Sequence, residues 1–245
     1  MVDNRLPASP LRHVLVVVPA YDESLLVADA IGAITTARAR LPDHVTSSLV
    51  VVADGCTDTT ATIATSLRCG PGDLVLETAP SGVGAARRLG TAAGLAAVPV
   101  PSGAVWIAST DADTVVPPDW LVTQLDHARR GAVALAGTVE LADDEPHDAL
   151  GAAVAHRFRS RYVVGGPAHT HVHGANLGMR ADAYERAGGW RALLTAEDHD
   201  LWRRLRRLGS TVSTTALPVT TSARRTGRAP MGFAVGLAQL AEAVA

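Results

Sequence analysis

Four short apolar runs, each breaking off into polar residues, constrain this chain more than any other feature of it. Val14–Val18 is a β-branched run closed by Pro19. Leu49–Ala53 runs into Asp54 and Gly55. Asp73–Thr78 is shorter, and Ala104–Ser109 runs into Thr110–Asp113. Short continuous runs of this kind read as strands buried on both faces. Helical stretches separate them. Glu23–Leu41 carries Val27, Ile31 and Ile34 on one face, with Asp22 or Ser24 placed to cap it. Thr57–Leu67 follows the second strand, and Gly82–Ala97 is a small-residue helix with a Gly-rich start. Strands alternating with helices predict an α/β fold, a Rossmann-like, mostly parallel central sheet flanked by helices. Ligands of such sheets bind beyond the carboxyl ends of the strands. Three polar clusters fall there: Tyr21–Glu23, Asp54–Gly55 and Asp111–Asp113.

The second half is less regular. Val133–Leu141 reads as a strand, Asp148–Tyr162 as a helix and His169–Met179 as an extended segment. Glu197–Leu208 is a helix with Leu201, Leu205 and Leu208 on one face, and Gly209 ends it. Thr211–Val219 reads as a further strand. Pro230 starts a last helix with Phe233, Leu237, Leu240 and Val244 on one side, an apolar face that suits a partner or a second copy.

Composition narrows the function classes. A formal net charge of −2 gives no bulk attraction to nucleic acid. The 22 fixed cationic side chains are all arginine, so any permanently charged phosphate contact must come from a guanidinium fork. Cys56 and Cys69 are the only cysteines and make no disulfide framework, which makes a reducing, cytoplasmic setting the expectation. Met1–Pro10 has no apolar signal core. No apolar run approaches the roughly 20 residues that span a bilayer. A lipid acceptor would therefore be met at the membrane surface.

Several clusters can carry chemistry, and each also has a plainer reading. Asp111 and Asp113, two residues apart, point to one side of an extended segment. Their hard oxygens suit Mg²⁺ or Mn²⁺, although a solvated turn uses the same residues. Asp54 can accept hydrogen bonds from a base or ribose, or shape a turn. Pro19, Ala20, Tyr21, Asp22 and Glu23 form either a cap or a base-binding loop. Gly82, Gly84 and Arg87 look like a phosphate-binding loop entering a helix, or a helix start with close packing, and Arg88 adds a second cation. Glu197 and Asp198 open a helix, where the dipole favours acids and Thr195 suggests a capping box. Asp198 can equally be a general base that takes a proton from a hydroxyl. His169, His171 and His173 alternate but lack a local fourth zinc ligand. Arg224, Arg225 and Arg228 lie in a Gly-containing loop that can close over a diphosphate. Trp106, Trp120 and Trp202 read as core, and Trp190 as a sugar platform or core.

Taken in order, these pieces resemble glycosyltransferase family 2, the inverting group with the GT-A fold, over roughly residues 12–228. The matching segments are Val16–Glu23, Val51–Thr59, Gly82–Arg87, Thr110–Asp113, Gly174–Arg180 with Gly188–Trp190, and Glu197–Leu205. The second departs from the family pattern: Ala53 stands where an acid is usual, so only Asp54 carries over. The resemblance implies one compact domain, with a tail at 1–10, a nucleotide-sugar-binding half at 11–136, an acceptor-binding and catalytic half at 137–220, and an Arg-rich loop and helix at 221–245. It implies a nucleotide-diphosphate sugar donor, most often a UDP-sugar, and Mn²⁺ or Mg²⁺. Pro19, Ala20, Tyr21, Glu23 and Asp54 would hold the nucleoside. Gly82 and Arg225 would approach the diphosphate and Arg87 the diphosphate or Asp111; within the metal motif of Asp111, Ala112 and Asp113, Asp111 would contact the ribose or the sugar and Asp113 would ligate the metal. Asp198 would be the base and Glu197 would orient sugar or acceptor. His173, Gly174, Asn176 and Trp190 would line the acceptor side, and His199 would assist the metal or packing.

Two rivals remain. Nucleotidyl transfer shares the architecture and the metal, but it wants a longer Gly-rich loop with a basic residue directly after the first strand, where Pro19–Glu23 stands. A non-catalytic nucleotide-sugar-binding module is opposed by the acids at 111, 113, 197 and 198.

Overall fold

A computed structural model describes residues 10–142, 169, 171–193 and 195–224. Among them, β1 (His13–Ala20), α1 (Val27–Arg38), β2 (Thr46–Asp54), α2 (Thr60–Ser66), β3 (Leu74–Thr78), α3 (Val83–Ala97) and β4 (Val105–Ser109) come first. They are followed by β5 (Thr114–Val115), α4 (Trp120–Arg129), β6 (Ala134–Leu141), β7 (Leu177–Arg180), α5 (Ala181–Arg186), α6 (Glu197–Leu205) and β8 (Thr211–Thr221). The helix expected over 148–162 and the C-terminal helix from Pro230 lie outside the described residues.

The described strands form one sheet in the order β3-β2-β1-β4-β7-β6-β8-β5. β3, β2, β1 and β4 run parallel; β7 is antiparallel to both β4 and β6, β8 is parallel to β6, and β5 is antiparallel to β8. All of β1 is buried, as its continuous run requires. Alternate residues serve opposite faces: Val14, Val16 and Val18 join Ile31, Ile34, Trp120 and Leu121, under α1 and α4. Leu15 and Val17 join Ala86, Tyr184, Leu201 and Leu205, under α3, α5 and α6. The inner face of α3 is built of small residues because the helix lies directly on the sheet. A Cβ on Gly94 would stand 2.4 Å from Leu15, and one on Gly90 2.8 Å from Val52.

Strand direction decides what meets at the site. The carboxyl ends of β1, β2 and β4 share one edge. Leu177 pairs with Ser109, which brings the start of β7 to that edge. Leu141 pairs with Thr221, and Thr221 with Thr114, so the ends of β6 and β8 arrive there too.

Several local expectations change. α1 starts at Val27 and has no side-chain cap. Asp22 adopts a left-handed φ of 53° and turns its carboxylate to the Thr57 and Asp58 amides, 2.6 and 3.2 Å away. α6 has no side-chain cap either; Ala196, with φ 58°, precedes it in place of a Thr195 capping box. The segment through Gly174–Asn176 is a 3-10 turn rather than extended chain. α4 was not expected; its inner face includes Gln124, whose Oε1 accepts from Trp106 at 2.7 Å.

His13 gives this fold a pH dependence. Its ring bonds Thr46 Oγ1 at 2.7 Å and Ser48 Oγ at 2.9 Å. Burial, and then the Arg38 charge, push it down to about 4. The unfolded chain therefore takes up this proton first, so the contribution is complete above about pH 6.5 and is lost as pH falls toward 4, at a slope of up to ~1.4 kcal/mol per pH unit. Denaturant titrations of wild type and His13→Gln at pH 7, 5.5 and 4.5 are expected to show the smaller loss in the variant; parallel losses would remove His13 as a source.

Candidate active site

Arg87 organises the shared edge. It sits on α3, is 2% exposed, and faces inward because Gly84 and Gly90 let the helix approach its neighbours. Its Nη1 donates to Glu197 Oε1 at 2.6 Å and its Nη2 to Asp111 Oδ1 at 2.5 Å. The guanidinium lies over the Trp190 ring, 5.2 Å from the centroid. It also abuts Gly174, where a Cβ would come 2.3 Å from its carbon. One buried cation thus joins the turn after β4, the start of α6, and the segment before β7. Burial raises the Glu197 carboxyl, while Arg87 works to lower it.

Asp198 follows Glu197 on α6. Its Oδ2 accepts from the Gly174 amide at 3.0 Å, and its Oδ1 accepts from the His199 amide at 2.7 Å. His173 stands beside it in a ladder of stacked imidazoles, with centroids of His171 and His173 6.2 Å apart. Burial pushes His173 down to about 4, against the pull of Asp198 and helped by the neighbouring histidines. His199 is exposed.

Asp113 and Glu23 form the second focus. Arg224 follows β8 and donates Nη2 to Asp113 Oδ2 at 2.8 Å. The same guanidinium pairs with both oxygens of buried Glu23, Nη1 to Oε2 at 2.7 Å and Nη2 to Oε1. Thr221 and Thr114 hydroxyls lie 3.3 Å from Asp113 Oδ1. Burial, and then the Asp111 charge, push Asp113 up to about 6, with Arg224 opposing and Glu23 adding to the rise. Asp111 and Asp113 lie in a turn between β4 and β5 rather than on an extended segment, and different arginines hold them. Glu23, Asp111 and Asp113 offer oxygen donors only, and the charges of Asp111 and Glu23 both act against ionised Asp113; that chemistry fits a hard divalent cation.

Other expected residues have different surroundings. Asp54 accepts from Ser81 N at 2.8 Å, Ser81 Oγ at 2.7 Å and Gly82 N at 2.8 Å. Its carboxylate therefore fixes the Gly-rich loop and engages the very amides that a phosphate would use there. Asn176 is fully buried: its amide donates to Thr138 O and Leu217 O at 2.9 and 2.7 Å, and its oxygen accepts from Trp120 Nε1 at 2.9 Å. The side chain bridges β6 and β8 across their irregular register instead of facing an acceptor. Trp190 is 1% exposed, so its ring backs Arg87 and is no open sugar platform. Pro19 and Ala20 end β1 in the core, Tyr21 is exposed, Ala112 is buried, and Arg88 is exposed. Arg225 and Arg228 lie outside the described residues. Asp200, absent from the sequence expectations, accepts from Arg203 and Arg204 and locks α6. Only its spacing four residues before Arg204 signalled this.

The sheet that carries this edge, with its parallel strands and flanking helices, is of the GT-A type. The chain belongs to the family described as glycosyltransferase like family 2, whose model matches residues 10–235, and so carries a glycosyltransferase domain. No curated protein matches it. Among solved structures, S. aureus TarS 1–349 is similar with a TM-score of 0.61 at 14% identity over 86% of this chain, which spans 60% of that one. The same S. aureus protein in complex with UDP gives 0.60 at 15% identity, covering 86% of this chain and 61% of that chain. The mannosyltransferase PcManGT from Pyrobaculum calidifontis, in complex with GDP-Man and Mn²⁺, gives 0.61 at 20% identity over 96% of this chain and 70% of that one. Among the described residues no helix is long and apolar enough to cross a membrane.

Proposed function

We propose that this chain transfers a sugar from a nucleotide-diphosphate sugar to an acceptor hydroxyl with inversion, residues 11–136 serving the donor and 137–220 the acceptor. The observation that carries this is Arg87, which ties Asp111 of the strand-end motif to Glu197, the neighbour of Asp198. Donor-side and acceptor-side acids are thereby held in one site.

In this reading Asp198 takes the proton from the acceptor hydroxyl as it attacks the anomeric carbon. The Gly174 amide keeps one carboxylate oxygen oriented, and the other accepts from the His199 amide. Glu197 and Asp111 orient donor and acceptor while Arg87 neutralises them. Asp113, with Asp111 and Glu23 near it, would hold Mn²⁺ or Mg²⁺. Such a cation, when bound, stabilises the negative charge of a departing diphosphate. Tyr21, exposed at the end of β1, offers a ring to a base. A UDP-sugar is the favoured donor by family habit, and the complexes of the similar structures with UDP and with GDP-Man and Mn²⁺ make uridine and guanosine the first bases to try.

Calorimetry with UDP, GDP and dTDP, with and without Mn²⁺, tests the donor half. One diphosphate is expected to bind at micromolar strength only with Mn²⁺, and Asp113→Ala to abolish that dependence. If no diphosphate binds with metal present, the donor reading fails.

A further inference from the structure

Arg224 makes the least expected contact in the site. It lies just past β8, whose last residue, Thr221, pairs with Thr114 beside Asp113. Ser222 N donates to Asp113 O at 3.2 Å, and Ser222 Oγ accepts from Arg224 N at 3.3 Å. The backbone is thus pinned to the strand-end turn, and the side chain reaches back to Glu23 and Asp113 with both terminal nitrogens engaged. A permanently charged fork thus occupies the carboxylates of both Glu23 and Asp113.

We propose that Arg224 is a built-in counter-ion that competes with the divalent cation for Asp113 and Glu23, and so makes metal and diphosphate bind together. The inference rests on the reading of Asp113 as the cation's ligand. Two cations at one carboxylate repel each other, and between side chains this little exposed that repulsion is only weakly screened. A metal ion alone must displace the guanidinium and leave it without an anion. A diphosphate removes that penalty, because its oxygens accept the forked donors of the displaced arginine and ligate the metal as well. Metal and diphosphate then strengthen each other's binding by the same factor. The arginine also keeps Asp113 and Glu23 from facing each other unpaired before that exchange.

The test is Mn²⁺ binding to the full chain, read as loss of the free-ion electron paramagnetic resonance signal, with no nucleotide and then with UDP or GDP. Wild type is expected to bind Mn²⁺ weakly alone and more tightly with the diphosphate. Arg224→Gln is expected to bind Mn²⁺ alone about tenfold more tightly, the gain from removing a competitor for its carboxylates. Its gain from added diphosphate shrinks correspondingly. Arg224→Lys keeps the charge and is expected to stay near wild type. Equal affinities in wild type and Arg224→Gln, both lost in Asp113→Asn, would overturn the competition and leave the metal reading standing. No Mn²⁺ uptake by any variant, with or without UDP or GDP, would remove the metal reading and the competition with it.

Discussion

Asp198→Asn is expected to slow sugar transfer by about 100- to 10,000-fold, the range associated with a positioned general base. Nucleoside diphosphate binding should be unchanged. The asparagine oxygen can still accept from the Gly174 amide, which Asp198 Oδ2 now does at 3.0 Å, so the loop keeps its anchor. What disappears is the charge that accepts a proton. Arg87 retains both of its carboxylates, because neither of its hydrogen bonds involves Asp198. Initial rates at saturating donor, together with calorimetric binding of the diphosphate, separate the two effects. A variant that retained most of its activity would show that another group takes the proton. A variant that lost diphosphate binding as well would show that Asp198 serves the donor.

The second large effect is on stability. Arg87→Met is expected to destabilise the fold by ~3–5 kcal/mol, the usual cost of leaving a buried carboxylate without its partner. For a chain of this size that corresponds to a melting temperature lower by roughly 6–20 °C. Burial already raises the Glu197 carboxyl while Arg87 opposes the rise, and the Trp190 ring has the guanidinium as its neighbour. Adding Glu197→Gln removes the stranded charge, so the double variant should recover much of the loss, and the cycle of variants should show strong coupling. Additive effects of the two substitutions in thermal unfolding would mean that the pair is not an energetic unit. Asp111 should matter less, since its side chain is 32% exposed and water can replace the arginine there.

Much of the architecture was legible because its signals are local. A strand buried on both faces must be apolar at every position, and Val14–Val18, Leu49–Ala53 and Ala104–Ser109 are nearly so. Parallel strands put their carboxyl ends on one edge, so Asp54, Asp111 and Asp113 had to meet the loop after Pro19. α4 escaped because its buried stripe is short and interrupted by Gln124. The start signals were present, in Pro117, Pro118 and Asp119 ahead of Trp120.

Side-chain partnership was not legible in the same way. Asp22 and Thr195 read as caps, and Asp54 as an acceptor for a base or ribose or as a turn residue. Which amide a short acid reaches depends on a neighbouring loop that arrives from elsewhere in the chain, as Thr57 does for Asp22 and Ser81 for Asp54. Asn176 sits in a segment that reads as substrate-facing. It is spent inside the sheet because β6 and β8 lose register there and leave the Thr138 and Leu217 carbonyls needing donors.

By itself, then, the sequence determined the buried strands, their common edge and the acids gathered on it, because periodicity and strand polarity act over a few residues. Only the tertiary structure decided that Arg87 also holds Glu197 and that Arg224 holds Glu23. Arg87 meets Glu197 across 110 positions and Arg224 meets Glu23 across 201, and nothing in the residues between them specifies either pair. Ion pairs form where packing brings charges together in a place too poor in water to leave them apart, and that place exists only once the sheet has assembled.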